Sequence, residues 1–459
     1  MKQFLVFHPF LFAIFPILFL FAYNIDEIPA TDLLLPMLIV IIGTLILLLS
    51  LRLITKNYNK IAIIASSFLI LFFSYGYVRD LIWSYPRLQG RTSVTYFLAY
   101  LWAFLLITLA FLIIKSRRNF SISTKFLNIV AVALIAISLI NIGIYEIRAF
   151  TVTSETTSER PTSLDLENSP NLPDIYYIIL DSYARQDTLK EVYNYDNSQF
   201  IDYLTNKGFY VAPKSRSNYS HSAISLPSSL NMRYLTQKEL SFAWKSSLIL
   251  DNEVSRFLKS KGYRYIFVSG GLVSKDAAKY ADAYVPSRGL FGDTIFTMSD
   301  FTISLIERTA FDPIATLFIS SNIRKGTLYA FDKLADMPNI SGRKFIFGYI
   351  LPPHPPYVFD RDGNPPEGAG TYIDQLVFIN KKVEALVDEI LMKSDIPPII
   401  IIQADHGRDA PRHNILNAYY LPGKDNRLLY ETISPVNSFR IVFNLYFDTD
   451  YELLKDESN

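Results

Sequence analysis

There is no cysteine among the 459 residues. Disulfides, thiolate metal ligands and a cysteine nucleophile are therefore excluded together, while the redox compartment stays open. Net charge is almost absent as well. The 44 Lys and Arg residues against 43 Asp and Glu give a formal +1, so there is no electrostatic case for nucleic acid. No internal repeat at solenoid spacing is visible. Histidine is scarce, at five residues, which makes the position of each one informative. What is abundant is apolar: 50% of the chain is hydrophobic, and unevenly so. The first 150 residues hold long apolar stretches with few charges, and the rest reads as globular sequence.

Five hydrophobic segments stand out, at residues 4–23, 33–53, 61–77, 94–114 and 126–145. Each is near the ~20 residues that a helix needs to cross a bilayer, the third being the shortest. The first follows Lys2 and lacks a small-residue cleavage site, so it reads as a retained anchor. Arg52, Lys56 and Lys60 lie between the second and third segments, and Lys115, Arg117, Arg118 and Lys125 between the fourth and fifth. The loop 24–32 carries only acidic charge. The positive-inside bias then puts the amino terminus in the cytoplasm and everything after Arg148 outside. Arg79, Arg87 and Arg91 fall in a loop that this topology makes external, and they weigh against it. The organisation expected is a transmembrane domain over 1–150, a Ser/Thr/Pro-rich linker over 151–172, and an extracytoplasmic domain over 173–459 in a cell membrane.

From Asp174 on, strands and helices alternate. Ile175–Leu180 (IYYIIL), 263–268, 344–351 and the run Ile399–Gln403 read as buried strands, and 197–207, 252–261 and 372–391 as helices. Repeated β–α units predict a mainly parallel sheet with helices on both faces. The run IIIIQADHG ends in Asp405-His406-Gly407. In such sheets ligand chemistry collects beyond the carboxyl ends of the strands. Asp181 ends one strand, His354 follows another, and Asp405-His406 follow a third. One edge can gather all of them. Carboxylate oxygen with imidazole nitrogen suits zinc or manganese. Alone, a strand-end Asp is also a good helix cap, and His354 between proline pairs is also a rigid loop residue. His413 follows the DHG turn at a short distance. A phosphate or sulfate ester would need a nucleophile beside the cation. The stretch SNYSHSAISLPSSLNMRY offers Ser220, Ser222, Ser225, Ser228 and Ser229, and the residues themselves do not choose among them.

Taken in order, LDSYAR, NYSHSAISLPSSLNMRYL, HPPY and QADHG with ILNAYYLPG resemble the alkaline phosphatase/sulfatase superfamily. The resemblance is to its membrane-anchored branch, which includes lipoteichoic acid synthases and lipid A phosphoethanolamine transferases, and it spans about residues 173–446. It implies that Asp181, Ser222, Asp405 and His406 hold one divalent metal ion, zinc or manganese, with Ser222 as nucleophile. It also implies that His354 and His413 face the substrate, a membrane lipid or lipid-linked or envelope glycan. The relatives mostly carry Thr where Ser222 stands. Pro227 follows too soon for an undisturbed helix from Ser222. The formylglycine signature of sulfatases is missing, since Ile224 and Leu226 occupy its positions after Ser222, and after Ser225 only Pro227 fits while Ser229 replaces the arginine. The expectation is a metal-dependent phosphotransferase or phosphodiesterase. The alternatives are a sulfuric ester hydrolase without formylglycine, or a non-catalytic membrane protein with a degenerate domain.

Overall fold

A computed structural model of the chain describes residues 6–25, 30–83, 92–152, 172–236, 239, 245–271, 280–287, 300–368, 370–409 and 411–458. The chain forms two units, Met1–Thr157 with Met298–Phe318, and Ser158–Thr297 with Ile319–Asn459.

Among the described residues of the first unit are the helices His8–Tyr23, Leu34–Ile54, Tyr58–Trp83, Thr92–Lys115 and Ser121–Val152. All but His8–Tyr23, which has 16 residues, are long and apolar enough to cross a membrane. The third segment, shortest by hydropathy, is a helix of 26 residues, because polar turns extend the apolar run at both ends. Exposed Leu34, Leu38, Ile42, Leu45 and Leu49 line Leu34–Ile54, the surface that a hydrocarbon solvent demands. Arg79, expected in a loop, lies inside Tyr58–Trp83 and is buried, paired with Asp80 and Asp312. Burial of a guanidinium requires such partners.

Residues 298–318, assigned above to the second domain, cluster with this helical unit. Phe301 and Leu305, on the helix Asp300–Glu307, share a core with Phe12, Ile17 and Phe73. The backbones also join: Gly76 N–H donates to Arg308 O at 3.1 Å and Ala310 N–H to Phe72 O at 2.9 Å. A Cβ on Gly76 would stand 2.3 Å from Glu307 O, so only glycine admits this approach. The linker expected over 151–172 lies almost wholly outside the described residues, and its first two positions complete the helix Ser121–Val152.

Among its described residues the second unit is built on seven strands: β1 (Ile175–Leu180), β2 (Tyr210–Val211), β3 (Arg264–Gly270), β4 (Ala283–Val285), β5 (Lys344–Ile350), β6 (Ile399–Gln403) and β7 (Asn417–Tyr420). Their order is β2-β7-β6-β1-β5-β3-β4. β1 pairs in parallel with β5 and β6, as do β3 with β5 and β4. β7 runs antiparallel to both β6 and β2. Sequence periodicity did not reveal β2, β4 or β7, which have two to four residues each. The central strands have no polar face. Tyr176, Ile178, Leu180, Ile400 and Ile402 pack into one core, and Ile175, Tyr177, Ile179, Ile399 and Ile401 into the other. That double burial explains the uninterrupted apolar runs.

The helix Ser222–Leu230 runs through Pro227, contrary to the expectation of a disturbance. The proline ring removes one donor, and neighbouring bonds hold the turns. Ser225 N–H donates to His221 O at 2.9 Å, Asn231 N–H to Pro227 O at 3.0 Å, and Ser229 Oγ to Ser225 O at 2.9 Å.

Candidate metal centre and nucleophile

β6 stays apolar until Gln403, whose amide is absorbed inside the fold. Tyr177 OH donates to its Oε1 at 2.7 Å, and its Nε2 donates to Asn417 Oδ1 at 2.8 Å and Ser438 Oγ at 3.0 Å. Asp405 and His406 are then the first ionisable groups past the strand. Asp181 follows β1 directly, its N–H held by Ile350 O of β5 at 3.0 Å. β1 lies between β5 and β6, so Asp181 and Asp405-His406 leave adjacent strands at the same sheet edge.

Ligand atoms of Asp181, Asp405 and His406 all lie within 4.8 Å of one another, and each residue is 2% exposed. Asp405 Oδ1 accepts from His406 N–H at 2.9 Å and Ser182 N–H at 3.3 Å, while its buried Oδ2 has no hydrogen-bond partner. Asp181 Oδ1 accepts from Ser182 Oγ at 3.1 Å, and Oδ2 accepts from Tyr349 OH. His406 Nδ1 lies 2.8 Å from Gly407 O. A proton donated there leaves the Nε2 lone pair free. That nitrogen stands 3.5 Å from Asp181 Oδ1 and 3.9 Å from Asp405 Oδ2. Two buried carboxylates and a lone pair aimed at one point repel each other until a cation joins them. The same crowding acts on Asp181: burial first, then the Asp405 carboxylate, pushes its pKa up to about 6, with His354, His406 and Tyr349 opposing. An orphaned oxygen and an O,O,N donor set fit a divalent metal.

Ser222 Oγ lies 3.2 Å from His406 Nε2, at the first residue of its helix. Three of the other serines are committed elsewhere: Ser225 Oγ to Asp405 O at 2.6 Å, Ser228 Oγ to Arg233 O at 2.7 Å, and Ser229 Oγ to Ser225 O. The His354 ring centroid is 6.5 Å from that of His406. Its Nδ1 sits 2.6 Å from Pro355 O, and Gln375 Nε2 holds its carbonyl at 3.0 Å. His413 Nδ1 is tied to Ser217 O at 3.1 Å rather than to this group. Gly407 turns the chain sharply, since a Cβ there would meet Asn414 O at 2.6 Å and Arg412 O at 2.9 Å. Ser182, in a left-handed conformation at φ 62, and Tyr349 complete the setting. Sequence reasoning missed both. For Tyr349 the available signal was a polar-tipped ring one residue before the end of a buried strand.

No family model and no curated protein matches the chain. Among solved structures it is similar to the C-terminal periplasmic domain of EcEptC from Escherichia coli in complex with Zn, at 11% identity and TM-score 0.43, over 63% of this chain and 86% of that one. It is similar to a protein in the alkaline phosphatase superfamily from Vibrio parahaemolyticus, at 13% identity and TM-score 0.42, over 61% and 71%. The integral membrane protein lipooligosaccharide phosphoethanolamine transferase A from Neisseria meningitidis gives 13% identity and TM-score 0.41, over 94% and 87%. The likeness concerns chain path, and the chemistry of this chain is decided by its own side chains.

Proposed function

We propose that this chain is a membrane-anchored, metal-dependent phosphotransferase or phosphodiesterase that acts outside the cytoplasm on a lipid-linked or envelope-glycan phosphate ester. One observation carries the reading. A serine hydroxyl sits 3.2 Å from the Nε2 of a buried histidine whose neighbours are two buried carboxylates. Asp181, Asp405 and His406, with Ser222 Oγ, would hold one divalent ion, zinc or manganese. Such an ion lowers the pKa of a hydroxyl and neutralises ester oxygens.

Ser222 Oγ, its proton released to solvent, then attacks phosphorus, and the Ser222 O–P bond forms as the bond to the leaving oxygen breaks. The leaving oxygen keeps the electron pair and takes up a proton. With its Nδ1 held by Pro355 O, His354 has Nε2 to hold or deliver that proton. An acceptor hydroxyl or water attacks the phosphoserine in a second step and releases Ser222. His413 is read as a further substrate-facing group.

The test is mass spectrometry of the full chain and its membrane lipids after incubation, with metal analysis of the purified protein. A phosphoryl-containing adduct on the peptide holding Ser222, a changed lipid and one retained divalent ion are expected. A purified protein that retains no divalent metal and forms no adduct would overturn the reading in favour of a non-catalytic domain.

A further inference from the structure

The segment that follows Gly407 folds back on the metal loop. Gly407 N–H donates to Arg412 O at 2.5 Å, so Arg412 is anchored one residue from His406. Beside it runs the approach to the nucleophile helix, joined by an isolated antiparallel bridge between Arg216 and Asn414 and by Ser217 N–H to His413 O at 2.8 Å. Two arginines therefore flank His413 on neighbouring segments, and their charges are not spent on the fold. Arg185 makes the contrast plain. Its guanidinium is paired with Asp187 at 2.6 Å and donates to Ser215 O at 2.8 Å. Neighbouring acids are also committed, Glu431 to Lys214 at 2.6 Å and Asp409 to Tyr193 OH at 2.5 Å. Among the described residues no acid pairs with Arg216 or Arg412, and the buried Nε of Arg412 makes no hydrogen bond. Burial, then Arg216, Arg412 and His406, lower the pKa of His413, against a raising bond to Ser217 O. The four groups share one electrostatic neighbourhood.

We propose that Arg216 and Arg412 form a cationic subsite beside the metal centre that binds a second phosphate group of the substrate, a deepening that rests on the phosphoryl-transfer reading. A buried guanidinium N–H without a partner costs free energy until an acceptor arrives. A planar fork matches phosphate oxygens with two parallel hydrogen bonds. The phosphate belongs to a lipid headgroup or stands free, and the chemistry of recognition is the same.

The experiment uses the full chain in detergent, stripped of metal by chelator, with inorganic phosphate titrated calorimetrically. Wild type should bind, and R216Q/R412Q should bind at least about tenfold more weakly, the loss of one charge-assisted hydrogen bond or more. R427Q, which removes an exposed arginine paired with Asp425 outside both sites, should bind metal-free phosphate as wild type does. If turnover is never observed but this pattern holds, the catalytic reading falls and the subsite stands. Arg216 is exposed, so R216Q decides the matter alone should the double variant not fold. Unchanged binding in folded R216Q overturns the proposal. Dihexanoyl phosphatidic acid should compete with inorganic phosphate. Equal potency identifies the phosphate itself and greater potency a lipid headgroup, both in support, whereas no competition overturns it.

Discussion

Asp181 follows its strand directly into the candidate metal centre, and its carboxyl is the group there whose protonation responds to pH. Its pKa is raised to about 6 from 3.8 when no metal is bound, chiefly by burial and by Asp405. Between those values the folded state holds a proton that the unfolded state has lost. Stability of the metal-free protein therefore falls as pH rises from about 4 through 6. Metal binding needs the ionised form, so affinity should weaken as pH drops below about 6. Melting curves of chelated protein at pH 5 and pH 7 check the first sign, with D181N expected to abolish the difference. Metal titrations at the same pH values check the second, and a pH-independent affinity would remove Asp181 from the ligand set. Tyr349→Phe removes the hydroxyl that orients the second oxygen of Asp181. Loss of an outer-shell partner of this kind is expected to cost about 10- to 100-fold in metal affinity, measured by competition with a chelator of known strength. Asp181, Asp405 and His406 were legible because each ends or follows an apolar run. Ser182 and Tyr349 were not, since their roles depend on which strands become neighbours.

Among elements, the helix Ser222–Leu230 separates the proposed nucleophile from its support. Ser222 presents Oγ to His406, whereas Ser225, a turn later and fully buried, donates to the backbone carbonyl of Asp405. The two alanine substitutions should therefore differ in kind. Ser222→Ala should abolish turnover and adduct formation with melting temperature and metal content nearly unchanged, while Ser222→Thr keeps a hydroxyl and some activity. Ser225→Ala should instead cost about 1–3 kcal/mol of stability by leaving a buried carbonyl unpaired, with only partial loss of turnover. Denaturant unfolding and single-turnover assays on the three variants test this assignment, and an inactive but fully stable S225A would move the nucleophile to Ser225. The sequence offered five serines without a choice because serine suits turns, caps and back-bonds alike. Which hydroxyl meets His406 depends on the long-range pairing of Arg216 with Asn414, which aligns the two segments. No local pattern encodes it.

At the scale of the whole molecule, the apolar segments were plain in the sequence but the role of residues 298–318 was not. Their contacts with the helical unit use glycine packing at Gly76 and a buried ion pair, neither of which has a periodic signature. That ion pair bears on topology. Arg79 weighed against an amino terminus in the cytoplasm while it was counted as a free loop charge. Buried and paired with Asp80 and Asp312, it no longer contributes a free positive charge. The two basic loops, in contrast, meet. Lys60 Nζ donates to Ile114 O and Ser116 O, both at 2.8 Å, which brings the charges around Lys56 and Arg117 to one end of the bundle. A cluster of Lys and Arg at one end of the bundle is the pattern expected of a cytoplasmic side. The chain has no cysteine, so single introduced cysteines can be read without background. Cysteine in place of Ser154 should react with an impermeant thiol reagent in intact cells, and cysteine in place of Lys56 should react only after the membrane is opened. The reverse pattern would turn the chain around in the bilayer and place the Ser222 chemistry on the cytoplasmic side, where an envelope-glycan substrate could not be reached.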